Sequence, residues 1–138
     1  MKRTIFAVLV TGLFALSVGV PAWAHHSFAA AYDTAPAKAI TIKGTIKEVL
    51  LRNPHSFFVL NVKEADGSTS EWAFEAGTPS GMIRNGYDAK VIKAGAEVTI
   101  KGYPARDATA KRGMLNQLIM ADGKVFGMFG PQETPGAK

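Results

Sequence analysis

Apolar and polar residues alternate with period two along most of the chain from Ala39 to Phe129, and this alternation predicts a β-domain. Ile40, Ile42 and Ile46 alternate with Thr41, Lys43 and Thr45, the pattern of a half-buried strand. Gly44 falls on the apolar parity, where a glycine marks a bulge or a tight bend. Beyond Lys47 the parity shifts, and Val49 and Leu51 become the apolar set. A long first strand that bends and changes register suits a small closed barrel.

Asn53-Pro54 breaks that strand. A second strand is expected over Phe57 to Val62, and Asp66-Gly67 is a hairpin turn. In the third strand Trp72 and Phe74 point one way, and Glu71, Ala73 and Glu75 the other. Thr78-Pro79 reads as an N-cap followed by proline at the first helical position. Asn85-Gly86 stops that helix early. Ala94-Gly95 turns into a fourth strand with Val98 and Ile100 inward. Met114 to Met120 is a fifth strand, and Asp122-Gly123 leads into a short sixth segment, Val125 to Phe129. The predicted fold is mainly β: an OB-like barrel of five to six strands with one short helix, over residues 39–129. A split β-sandwich is the alternative. Ile42, Ile46, Trp72, Phe74, Val98 and Ile100 are the expected core.

The segments outside the barrel read differently. Lys2 and Arg3 precede an uncharged apolar run from Ile5 to Val20, and Ala22-Trp23-Ala24 follows Pro21. This is the pattern of a secretory signal peptide, residues 1–24. The run is shorter than the roughly 20 residues of a spanning helix and contains Gly12 and Gly19. The expected mature protein is therefore periplasmic or secreted, with no stable membrane anchor. It would begin at His25 with an alanine-rich arm, 25–38, and end in a disordered tail, 130–138, where Pro and Gly recur.

Removing residues 1–24 from the 138-residue chain leaves 114, one domain with room for a single core. The formal charge falls from +5 to +3 when Lys2 and Arg3 leave, and no block of Lys or Arg remains. A nucleic-acid partner is not expected. There is no cysteine, hence no disulfide and no thiolate for metal or nucleophilic chemistry.

Candidate chemistry rests on three histidines. A free α-amine and the imidazole of His25 can chelate one ion, and His26 adds a second ring. Such nitrogen donors favour Cu(II) among the divalent ions. His55, at a strand–loop junction, offers a third ring. The bland alternative is a solvated His-His pair and a His55 that merely supports its turn. Arg52, Asn53, Trp72 and Glu75 are the candidate ligand-binding residues. Phe57 and Phe58 could join Trp72 and Phe74 in a stacking platform, although large apolar side chains on one strand face more often form core. Glu71 and Glu75 lie about 13 Å apart at 3.3 Å per residue, too far for a glycosidase pair. No phosphate loop, nucleophile elbow or Ser-His-Asp order is present, and no catalytic residue is assigned.

His25-His26-Ser27-Phe28, Asn53-Pro54-His55, Trp72-Ala73-Phe74-Glu75 and Gly95-x-x-Val98-x-Ile100-x-Gly102 together resemble a family of small exported bacterial proteins, domain of unknown function 6152. The resemblance implies export and a small β-domain, and no activity. The expectation is an exported binding domain that takes a metal ion, copper, through its histidine arm. A metal-independent module for a protein or small ligand is the alternative.

Overall fold

The computed structural model describes residues 28–128. The expected signal peptide, His25, His26 and the tail 130–138 lie outside the described residues. The chain divides into two compact units, Met1–Ala30 and Ala31–Lys138. In the first unit only 28–30 are described, and they are helical.

The second unit is a barrel. Its strands are β1 (Ile40–Leu50), β2 (Phe57–Lys63), β3 (Thr69–Glu75), β4 (Glu97–Pro104), β5 (Arg112–Met120) and β6 (Val125–Gly127). The sheet order is β3-β2-β1-β4-β5-β6, and a parallel β3–β5 pairing closes the first five strands into a ring. This ring, with α1 (Pro79–Arg84) between β3 and β4, is the OB-like arrangement the alternation predicts. Among the described residues no helix is long and apolar enough to cross a membrane.

The bend in β1 has two parts. β1 pairs with β4 over Ile40 to Thr45 and with β2 from Thr45 to Leu50, so the strand changes partner at Thr45. A Cβ on Gly44 would stand 2.7 Å from the Asn61 carbonyl oxygen, so glycine lets the strands approach at the corner. The bulge itself comes later, between Ile46 and Glu48. It returns Val49 to the core side, as the parity shift requires. Leu51 runs past the end of the strand and is exposed.

Ile46, Phe58, Leu60, Phe74, Ile100, Leu115 and Leu118 fill the interior, with Met82 of α1 and Phe126 of β6 in the same cluster. α1 starts where expected: the Thr78 hydroxyl accepts from the Gly81 N–H, and Pro79 occupies the first turn. Of the expected core, Ile46, Phe74, Val98 and Ile100 are buried, whereas Ile42 and Trp72 are only partly buried against them. Trp72 stacks on Phe74, ring centroids 5.9 Å apart, and Lys111 Nζ lies 5.9 Å from its ring centroid.

The compact unit begins earlier than a boundary at residue 39. Tyr32 is buried and forms a bridge with Ala105. Asp33 N–H donates to the Pro104 carbonyl and Arg106 N–H to that of Ala31. An aromatic residue finds cover there that an alternation pattern cannot report.

Candidate functional site on the β2–β3 face

Register sorts the side chains of β2, β3 and β5 between the two faces of the barrel wall. Phe58 pairs with Phe74, and Phe74 with Gly113. This row faces inward, and a Cβ on Gly113 would enter the Phe74 ring at 2.7 Å. The adjacent row, Phe57 with Glu75 and Glu75 with Met114, faces the other way, as does Ala73 with Arg112. The outer face of β2–β3, between the β1–β2 and β4–β5 loops, is where OB-folds take ligands.

His55 reaches this face from the β1–β2 loop. A cis Asn53-Pro54 peptide precedes it. Ser56 N–H then donates to the Gly77 carbonyl (3.0 Å), and Ala76 N–H to the Ser56 carbonyl (2.8 Å). These bonds tie the loop to the chain just after β3. Ser56 itself is fully buried, and among the described residues its Oγ has no hydrogen-bond partner. Strand alternation sends His55 to the opposite side from Ser56. There its Nδ1 pairs with Glu75 Oε1, the side chains 29% and 13% exposed. The second oxygen, Oε2, accepts a hydrogen bond from the Tyr32 hydroxyl.

Tyr32, Glu75 and His55 thus form one network that joins three chain segments. Burial raises the Tyr32 phenol well above its ordinary value. The bond to Glu75 and that group's negative charge raise it further, whereas the Arg112 guanidinium lowers it. Tyr32 therefore ionises at higher pH in the folded than in the unfolded chain. Its stabilising contribution is complete below about pH 10, the unfolded value, and is lost as the pH rises toward the folded value. Tyr32→Phe is expected to flatten the alkaline loss of stability above about pH 10. Denaturant midpoints measured across that range check this, and an unchanged slope would contradict it.

The remaining candidates divide between the two sides of the wall. Arg52 is exposed, its guanidinium carbon 5.5 Å from the Phe57 ring centroid, on the side of His55 and Glu75. Asn53 is exposed in the same loop. Trp72 lies on the inward parity beside Phe74 and does not join Glu75. The four-ring platform does not form: Phe58 and Phe74 are fully buried, and Phe57 alone lies on the outer face. Among the described residues no group of three or more His, Cys, Asp and Glu could hold a metal. Sequence reasoning missed Tyr32 and Arg112. Tyr32 shares the arm with a second large aromatic residue, Phe28, so residue type alone did not single it out.

A model of the family of unknown function DUF6152 matches residues 14–115, from within the apolar N-terminal run to the middle of β5. The chain belongs to this family. The matched stretch includes His55, Glu75, Tyr32 and Arg112, and it ends before β6. Comparison with curated proteins and with solved structures gives no match.

Proposed function

We propose that the chain is an exported binding domain that binds copper, with His55 as the ligand supplied by the barrel. The observation that carries this reading is the pairing of His55 Nδ1 with the Glu75 carboxylate. Metal-ligating histidines characteristically donate their other ring nitrogen to a carboxylate, which fixes the ring and raises its basicity. Once Nδ1 is engaged, Nε2 is the nitrogen through which the ring would act. The α-amine of His25, with its own ring and that of His26, forms a second group of nitrogen donors after cleavage at Ala24, and such donors favour Cu(II).

Copper titrations of three exported proteins test the two groups separately: the native mature chain, a chain with one residue added before His25, and His55→Ala. Extension moves the amine away from the His25 ring while keeping every side chain, and it should weaken binding. His55→Ala should also weaken binding. Equal affinity in all three would overturn the copper reading. A loss on extension alone would remove the barrel from it. A metal-independent small-ligand module is the second reading, favoured by the half-buried Phe57 beneath the exposed Arg52 on the outer face.

A further inference from the structure

We propose that the outer wall of the barrel, where β1 passes from β4 to β2, binds an acidic saccharide. The site shares no residue with the copper reading and does not depend on it. Register defines the surface. Thr45 stands opposite Glu97 of β4 and Asn61 of β2. Lys43 stands opposite Thr99, and Thr99 opposite Ile119 of β5. Thr99 lies between the buried Val98 and Ile100, and Asn61 between the buried Leu60 and Val62. Strand alternation therefore turns these rows away from the core.

The β1–β2 ladder begins only at Thr45, so Lys43 of β1 and Lys63 of β2 lie beyond its end. A depression of about 340 Å³ lies there, lined by both lysines, Thr45, Asn61 and Glu97. A second, of about 280 Å³, shares Lys43 and Glu97 with it and continues past Thr99 to Ile119. These volumes sit near the small end of ligand sites, roughly 300–1,000 Å³, and suit a short saccharide. Lys47, Lys111 and Lys124 each have a carboxylate partner. Among the described residues Lys43, Lys63 and Glu97 form no ion pair. Their charges are available to a ligand.

Hydrogen-bonding type selects that ligand. A lysine ammonium only donates and an ionised carboxylate only accepts. The ligand must offer an acid to the lysines and donors to Glu97 at once. Sugar hydroxyls donate and accept, and a uronic acid adds the carboxylate. Ile119, an apolar side chain on the outward parity, meets the C–H face of a pyranose ring. A polyacidic peptide brings the charge, but Glu97 opposes it and finds few donors there. Nucleic acid is disfavoured by the same carboxylate. The lining residues also include no aromatic ring on which a base would stack.

Amide shift mapping of the isotope-labelled mature protein with an oligouronate tests this. Shifts should move at residues 43–45, 61–63 and 97–99. Lys43→Gln and Lys63→Gln should each weaken binding about tenfold, the lower end of what a hydrogen bond to a charged group is worth. Lys90→Gln removes the same charge from an exposed position outside the groove and should bind as the native protein does. Glu97→Gln should weaken binding of the oligouronate and of its uncharged methyl ester alike. The substituted side chains are exposed, so unchanged denaturant midpoints will show that every variant is folded. Absence of oligouronate binding, or shifts centred elsewhere, would overturn the proposal. So would equal affinity in Lys43→Gln, Lys63→Gln and the native protein. Oligoglutamate of the same length binding as tightly would replace the saccharide with an acidic peptide.

Discussion

Truncation of Phe74 to Ala is expected to cost about 3–5 kcal/mol, the largest single loss predicted for this domain. Phe74 is fully buried and stands at the middle of the barrel wall. It pairs with Phe58 on one side and with Gly113 on the other. Gly113 has no side chain because the Phe74 ring occupies that space. The cavity left by removing the ring is bounded by paired strands and cannot collapse without breaking the short β3–β5 pairing that closes the barrel, which spans only Ala73 to Glu75 on β3. Trp72→Ala should cost less. Its ring is only partly buried, and the loss comprises part of its area and its stacking on Phe74. Denaturant midpoints with an unchanged transition slope measure both. A Trp72 loss equal to or greater than that of Phe74 would contradict the assigned core.

Gly102→Ala should be the second large loss, about 3 kcal/mol or more, at the upper end of what overpacking costs. Gly102 lies on β4 opposite Leu115, next to the register shift between β4 and β5. A Cβ there would collide with the Met114 carbonyl oxygen. The obstacle is backbone, so no side-chain rotation relieves it, and the bulge itself would have to move. Gly77→Ala is the matched control. Nothing lies within 4 Å of a Cβ at that position, and the substitution should be close to neutral. Similar midpoints for the two variants would show that the β4–β5 bulge yields easily and that packing at Gly102 is looser than described.

Local chemistry is what made most of the fold legible. Gly67, Gly86, Gly95 and Gly123 adopt positive φ, between 84° and 93°, at the Asp-Gly, Asn-Gly and Ala-Gly pairs that mark turns in the sequence. Glycine alone adopts that region at little cost. Thr78-Pro79 and Asn85 bound α1 because capping is settled within a few residues. The parity shift after Lys47 located the β1 bulge within one residue, since a bulge reverses which side each later residue faces. Trp72 and Phe74 share a parity and therefore a face. Parity does not report how far along the barrel the cover extends, so the unequal burial of the two was invisible.

The candidate site was less legible because its contacts are long-range. The Tyr32–Glu75 bond joins residues 43 positions apart, and Arg112 arrives beside Ala73 only through the parallel β3–β5 register. Neither separation leaves a periodic trace. His55 and Glu75 were both visible as residue types suited to binding, but the bond between them depends on Ser56 being tied to the chain after β3. Trp72 and Glu75 were grouped by type and separated by strand parity, which here outweighs their closeness in sequence.

The central claim is that the barrel, through His55, takes part in copper binding. Paramagnetic broadening of backbone amide resonances by substoichiometric Cu(II), recorded on the isotope-labelled mature protein, tests it most directly. Broadening should extend to the amides of residues 55–57 and 74–76, around His55 and Glu75, and should vanish from both stretches in His55→Ala. Broadening confined to the first residues of the mature chain, with 55–57 and 74–76 sharp in the native protein, would contradict the claim.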